Sequence, residues 1–185
     1  FRVNMNVNRV GTPGTGSGVY NGVLNQTNGG IGGRQYYIGM ANNSSNEGYT
    51  MTFTFRNAAN TAPVNVYDLR FTVADIDRSG STYSGYQDVV QISPAPTSWV
   101  KYSTNVAATG SPVNTFAATS GDNVDPASQA GNVDVHFAGP VNQVSVTFLS
   151  GNRLYNIQSI SISDLSGRKI FDHTIECRAN IVTVP

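Results

Sequence analysis

Three aspartates, Asp75, Asp77 and Asp88, form the clearest metal-binding pattern in this chain of 185 residues. Asp75 and Asp77 make a D-x-D pair where one predicted strand ends, and Asp88 stands where the next begins. Calcium takes roughly six to eight oxygen ligands, and carboxylates supply them well. The sequence therefore predicts that the three carboxylates approach one another and bind calcium, the only cofactor it suggests. The alternative interpretation is that these aspartates cap turns by accepting hydrogen bonds from backbone amides.

Four aromatic residues, Tyr83, Tyr86, Trp99 and Tyr102, lie in or near predicted loops. Flat aromatic rings beside polar groups suit stacking against sugar rings, as they suit other amphipathic contacts. The pattern therefore predicts a ligand-binding surface for carbohydrate. The alternative is that Trp99 and one or two of the tyrosines cover the end of the core.

Nucleophilic chemistry has weak support in the sequence. His173 and Cys177 would lie about 13 Å apart in an extended strand, which is beyond hydrogen-bond reach. His136 has no serine or cysteine elbow beside it. Nothing brings together the two glutamates, Glu47 and Glu176, as a glycosidase pair would require. We therefore expect no catalytic residues and no enzyme activity.

Charge and composition exclude several kinds of partner. Lys and Arg total 11, Asp and Glu total 11, and charged residues make up 12% of the chain, about half the usual share. The sequence predicts no basic surface that would bind the phosphates of a nucleic acid, so we expect no nucleic-acid partner. No apolar run reaches about 18 residues, so we expect no membrane insertion. Cys177 is the only cysteine, so no disulfide forms within the chain.

Period-two alternation of apolar residues predicts the fold class. It is clearest in residues 133–164, where Gly and Pro separate three runs whose apolar members are Val133, Val135, Phe137, Val144, Val146, Phe148, Ile157, Ile160 and Ile162. Such alternation between turns is typical of antiparallel strands with one buried face. We therefore predict an all-β protein, an antiparallel β-sandwich of jelly-roll or immunoglobulin-like type, formed by residues 1–185 as a single domain.

Both ends of the chain have the pattern of strands. Residues 1–10 form a predicted N-terminal strand, and residues 168–185 a C-terminal strand extension. The apolar side of the first strand consists of Phe1, Val3, Met5 and Val7. We predict that these four residues contact another subunit by strand addition, which supplies many backbone hydrogen bonds. The alternative is that the strand completes its own sheet.

Two local features follow from the same pattern. The apolar parity changes between Val66 and Leu69, which predicts a β-bulge near Tyr67 and Asp68. Residues 107–131 are rich in Ala, Ser, Gly and Asn and are predicted to be a long loop. The chain starts at Phe1 without methionine or a leader, so we expect a processed mature chain or a trimmed one.

Four motifs occur in a familiar order: FTVADID at 71–77, DVV at 88–90, VDVHF at 133–137 followed by GPV at 139–141, and SISISDL at 159–165. This order resembles β-sandwich domains of secreted bacterial cell-surface and adhesin-like proteins. The segment ISISDLSGRKI at 160–170 is similar to the opening of a C-terminal sorting domain of Bacteroidetes secretion systems. The resemblance implies a location outside the cell or at its surface.

Two functional hypotheses follow. The first is an extracellular structural or adhesive subunit that self-associates into a filament, sheath or surface layer. The alternative is a carbohydrate-binding or adhesin module, calcium-dependent, whose partner is a polysaccharide or cell-surface glycan.

Overall fold

The computed structural model describes residues 2–10, 18–25, 34–41, 48–74, 76–78, 87–119, 128–149, 154–163, 169–173 and 181–183. For residues 18–25, 34–41, 154–163, 169–173 and 181–183 it describes the backbone and the strand pairing only. These described residues form fourteen β-strands and no helix. In this part of the chain there is accordingly no helix of the length and hydropathy that crosses a bilayer.

The strands are β1 Arg2–Val10, β2 Gly18–Asn25, β3 Arg34–Ala41, β4 Gly48–Arg56, β5 Tyr67–Ala74, β6 Val89–Ser93, β7 Ser98–Lys101, β8 Val106–Gly110, β9 Val113–Ala118, β10 Val133–Phe137, β11 Gln143–Leu149, β12 Leu154–Ser163, β13 Lys169–His173 and β14 Ile181–Thr183. They pair into two sheets. Sheet I has the order β14-β1-β4-β11-β6-β9-β8. Sheet II has the order β2-β3-β12-β5-β10-β7, and β13 also pairs with β12.

The two sheets pack face to face through the apolar side of each strand. In sheet I the alternation of β4 buries Met51, Phe53 and Phe55, as the period-two pattern predicts. Residues of sheet II, such as Phe71 and Phe137, belong to the same core cluster. Every strand pair is antiparallel. The predicted all-β sandwich is therefore confirmed.

Both terminal strands lie in sheet I and pair with each other. β1 pairs with β4 from Arg2 to Val10, and its first residues pair with β14, where Val3 faces Val182. The first and the last of the described strands are therefore neighbours in one sheet.

The β-bulge predicted near Tyr67 and Asp68 is present. Asp68 has a φ of 50°, and the pairing of β5 with β12 shifts register between Ser161 and Ser163. Aspartate tolerates this left-handed conformation better than most residues because its short polar side chain can bond locally. The bulge lies where β5 begins, at the edge of the surface described below.

The prediction of a loop over residues 107–131 is wrong in its first half. β8 and β9 form an antiparallel hairpin there, with Ala107 facing Ala117 and Thr109 facing Thr115. Phe116 and Ala118 are the buried members of β9. Small alanine side chains weaken the apolar alternation that marks a strand, so composition alone indicated a loop.

Candidate functional site

Asp77 and Asp88, two of the three predicted metal ligands, are held together by reciprocal hydrogen bonds. The Asp77 backbone N–H donates to Asp88 Oδ2 over 3.1 Å, and the Asp88 N–H donates to the Asp77 carbonyl over 3.0 Å. Both residues are buried. The Asp88 carboxylate therefore caps a backbone amide across an 11-residue connection, as the turn-capping interpretation proposes.

Calcium binding at this place stays a prediction. Asp75 lies outside the described residues. Within the described part of the chain, no group of three or more His, Cys, Asp and Glu side chains is placed to hold a metal ion. Asp77 and Asp88 alone would supply too few oxygens for calcium, so further ligands would have to come from elsewhere in the chain or from water.

The two described residues of the predicted aromatic surface, Trp99 and Tyr102, lie in different environments. Tyr83 and Tyr86 lie outside the described residues. Trp99 points into the sandwich, where its ring meets Phe116 edge-on at 5.8 Å between centroids. Tyr102 points outward and is 46% exposed. Of the two described members, Tyr102 is the exposed one, whereas Trp99 is partly buried against the core, and a role of either in ligand binding stays a prediction.

A hydrogen-bond network fixes Tyr102 on the outer face of sheet II. Its phenol donates to Asp134 Oδ2 over 2.7 Å, and the Thr72 hydroxyl donates to Asp134 Oδ1 over 2.5 Å. The hydrogen bond to Asp134 raises the pKa of Tyr102 above its ordinary value of 10.0, with smaller contributions from burial and from the charge of Asp134. The network therefore joins β10 to β5 and to the end of β7.

The residues predicted to contact another subunit lie within the chain's own sandwich where they are described. Val3 and Met5 are buried in the core, and Val7 is half-buried against it. Phe1 lies outside the described residues. In the single chain the first strand thus completes its own sheet, and exchange of that strand between subunits stays a prediction.

A second network on the same face links three strands through His136. The Ser98 hydroxyl on β7 lies 3.2 Å from His136 Nδ1, and His136 Nε2 bonds Asp68 Oδ1 at the bulge of β5. Arg70 donates to the same Asp68 oxygen from Nε at 3.1 Å and from Nη2 at 2.8 Å. This cluster, Ser98, His136, Asp68 and Arg70, is called the outer-face relay below.

Sequence reasoning found parts of the relay but not the whole. His136 is among the nucleophilic candidates, and the bulge at Asp68 is predicted, but neither Ser98 nor Asp68 is predicted as a partner for His136. The register explains the assembly, because Ser98 and Arg70 face His136 from the two neighbouring strands. These neighbours of His136 follow from the strand order β5-β10-β7, and the residue pattern of a single strand does not indicate that order.

The outer face of sheet I has a different character. Many of its side chains are hydroxyls and amides aligned across neighbouring strands, and its charged members include Arg2, which faces Arg56. Thr50 and Thr147 are bonded at 2.8 Å, and Thr52 and Ser145 at 3.0 Å. One aligned row runs across six strands and contains Asn8, Thr50, Thr147, Gln91, Thr115 and Thr109.

No protein-family model matches the chain, and comparisons with curated proteins and with solved structures find no significant match.

Proposed function

We propose that this protein is an extracellular structural or adhesive subunit that self-associates through the open edge of β7. The observation that carries the proposal is that β7, which pairs with β10 alone among the described strands, also presents exposed apolar side chains. Val100 is 60% exposed and Tyr102 is 46% exposed, and they are the large exposed hydrophobic residues among those whose side chains the structure describes. Both lie on β7 or directly after it.

The backbone geometry of β7 leaves hydrogen-bonding groups directed away from the sheet. The Tyr102 N–H donates to the Asn132 carbonyl beside β10 over 3.3 Å. Because an antiparallel strand directs alternate residues to opposite sides, the N–H and C=O of Trp99 and Lys101 face away from β10. Among the described strands β7 pairs with β10 alone. An added strand would find these groups available, which is how sheet augmentation gains affinity.

The side chains of β7 do little to block such an addition. The Lys101 ammonium is turned back to the Val106 carbonyl at 2.6 Å, so its charge does not project from the edge. Charged residues on an edge strand hinder its pairing with another chain, and apolar residues favour it. Val100 therefore presents an apolar side chain where a protected edge would have a charged one.

The extracellular part of the proposal is supported by sequence. Charged residues make up 12% of the chain and the formal net charge is zero, and the motif order resembles secreted bacterial surface domains. A second copy of this chain is the partner to which we commit, because the edge strand supplies an identical and self-complementary surface to each copy.

Sedimentation velocity over a range of protein concentrations tests the proposal. We expect the wild type to associate as concentration rises and Val100→Lys to remain monomeric, because the added charge opposes edge pairing. Gln91→Lys is the matched control, since Gln91 is exposed on β6, an internal strand of sheet I. A wild type that stays monomeric throughout, or a Val100→Lys variant that associates equally well, would overturn the proposal.

Carbohydrate binding is the second candidate function. It is favoured by the exposed Tyr102 ring beside the Asp134 carboxylate and by the uncharged hydroxyl and amide rows of sheet I. Affinity electrophoresis in gels containing neutral polysaccharides would show slower migration of the wild type. Tyr102→Ala should abolish that retardation if the ring stacks on sugar, whereas a retardation unchanged in Tyr102→Ala would place any binding elsewhere.

A further inference from the structure

The outer-face relay arranges a serine, a histidine and a carboxylate in a linear chain of hydrogen bonds. Ser98 is exposed on β7, and the side chains of His136 and Asp68 are 24% and 23% exposed. The base and the carboxylate are thus mostly sheltered, while the hydroxyl faces solvent. A nucleophile bonded to a base that is itself oriented by a third group is the general arrangement of an activated hydroxyl.

Bonding partners determine the position of the proton on His136. An ionised carboxylate only accepts hydrogen bonds, so the Nε2 bonded to Asp68 carries the hydrogen. In neutral imidazole the other nitrogen is then an acceptor. Nδ1 therefore accepts the hydrogen bond from the Ser98 hydroxyl, which is the tautomer a general base needs in order to take the serine proton.

Two further features hold Asp68 in this role. Arg70 bonds the carboxylate through two nitrogens, which favours its ionised form and fixes its orientation. The backbone of Asp68 is left-handed, and the pairing of β5 with β12 shifts register opposite it. Together these features place the Asp68 side chain beside His136 on β10. Bulges of this kind re-aim side chains near functional sites.

We propose that Ser98 is a nucleophilic serine that accepts acyl groups from small carboxylic esters, with His136 as general base and Asp68 as its orienting carboxylate. Ser98 Oγ attacks the ester carbonyl carbon and its proton passes to His136 Nδ1. The imidazolium then returns that proton to the departing alkoxide as the ester C–O bond breaks. Water then attacks the acyl-serine carbonyl carbon and gives a proton to the same nitrogen, which returns it to Ser98 Oγ as the bond between the acyl group and the serine breaks, so ester and water give acid and alcohol.

This proposal departs from the expectation of no enzyme activity, which rested on the absence of a serine elbow beside His136. The serine instead comes from another strand, 38 residues away in sequence. It is also independent of self-association, because the Ser98 side chain lies on the outer face of sheet II and not at the free backbone edge of β7. Small esters are the matching substrates, since a small acyl group can reach the exposed Ser98 hydroxyl from solvent.

Covalent labelling followed by peptide mass mapping tests the proposal on the full chain. A fluorophosphonate probe and p-nitrophenyl acetate should both modify Ser98, and Ser98→Ala should lose the adduct. We expect His136→Gln to slow labelling by about 10²-fold, the lower end of general-base contributions, because Ser98 is exposed to water. Asp68→Asn should slow it less, since it acts by positioning the imidazole.

Ser93→Ala is the matched control, because Ser93 is an exposed strand serine on β6 of sheet I and should not affect labelling. Thermal melts of each variant separate lost chemistry from lost folding, and mapping of the wild-type adduct does not depend on any variant. The proposal is overturned if the wild type forms no adduct, if Ser93 and Ser98 are modified equally, or if a folded His136→Gln variant is labelled at the wild-type rate.

Discussion

At the scale of single residues, the bond between Tyr102 and Asp134 predicts a pH-dependent stability. The pKa of Tyr102 is raised in the folded protein, chiefly by its hydrogen bond to Asp134. A raised pKa stabilises the fold fully below the unfolded pKa near 10, and that contribution is lost as pH rises through the folded pKa. Tyr102→Phe should therefore be less stable than wild type at neutral pH, and the difference should disappear in strong alkali.

Urea unfolding of both proteins at several pH values measures this difference, and subtracting the ultraviolet titration of Tyr102→Phe from that of the wild type separates this phenol from the other tyrosines. A Tyr102 that titrates at or below its ordinary pKa would contradict the bond to Asp134.

Asp88 gives a second prediction at this scale. Its carboxylate accepts the buried Asp77 N–H, and an unpaired buried donor costs roughly 1–3 kcal/mol. Asp88→Ala should lower the free energy of unfolding by about this amount, whereas Asp88→Asn, which keeps an oxygen acceptor, should lose less. Equal losses in the two variants, measured by urea denaturation, would show that the charge matters more than the cap.

The calcium prediction is tested by melting the wild type with calcium and with a chelator, because a ligand specific to the folded state raises Tm.

Alternation in the sequence indicates which side chains point outward, but it does not indicate their partners. Asp134 and His136 are the polar members of β10, so their outward direction could be predicted. Their bonds reach Thr72 and Asp68, 62 and 68 residues away. Partners at this separation depend on the order of strands in the sheet, and many orders satisfy the same alternation.

At the scale of strands, Gly48 sets how closely β4 approaches β11. A Cβ at Gly48 would lie 1.7 Å from the Phe148 carbonyl oxygen, which belongs to the backbone and cannot rotate away. Gly48→Ala should therefore force the strands apart and cost about 3 kcal/mol, at the upper end of overpacking penalties. Gly139→Ala is the matched control, because no atom lies within 4 Å of the added Cβ, and its effect should stay within about 0.5 kcal/mol.

Urea denaturation of the two alanine variants compares these costs directly. A Gly48→Ala protein as stable as Gly139→Ala would mean that the two strands separate at that point without loss.

Strands with large apolar residues were predictable, and strands with small ones were not. β4 and β10 alternate Met, Phe and Val with polar residues, so their buried faces follow from the sequence. β2 and β8 contain Gly, Ala and Asn at many positions. Their pairing in hairpins, β2 with β3 and β8 with β9, supplies the stabilisation that their own composition does not indicate.

At the scale of the whole molecule, the first strand is part of the core. Val3 and Met5 are buried, and burial of such side chains contributes roughly 1.5–3 kcal/mol each. Deleting residues 1–8 should therefore remove about 3–6 kcal/mol of apolar burial, a large part of a typical domain stability. We expect the truncated chain to lose its cooperative thermal transition, and Asn6→Ala, at an exposed position of β1, to keep it. If the truncated chain keeps an unchanged transition, the position of β1 in sheet I can be left empty. Strand exchange between subunits requires such a tolerance.

The central claim is that two copies join through β7, and disulfide trapping tests it most directly. An antiparallel pair centred on Val100 brings Trp99 of one copy opposite Lys101 of the other, so the outward backbone groups meet. Val100 then faces its own counterpart in a pair without hydrogen bonds, with Cα atoms about 4.5 Å apart, within the range that a disulfide spans. In a Cys177→Ser background, Val100→Cys should form a covalent dimer under mild oxidation, and Gln91→Cys should remain monomeric. A Val100→Cys protein that stays monomeric, or that crosslinks no faster than Gln91→Cys, would contradict the claim.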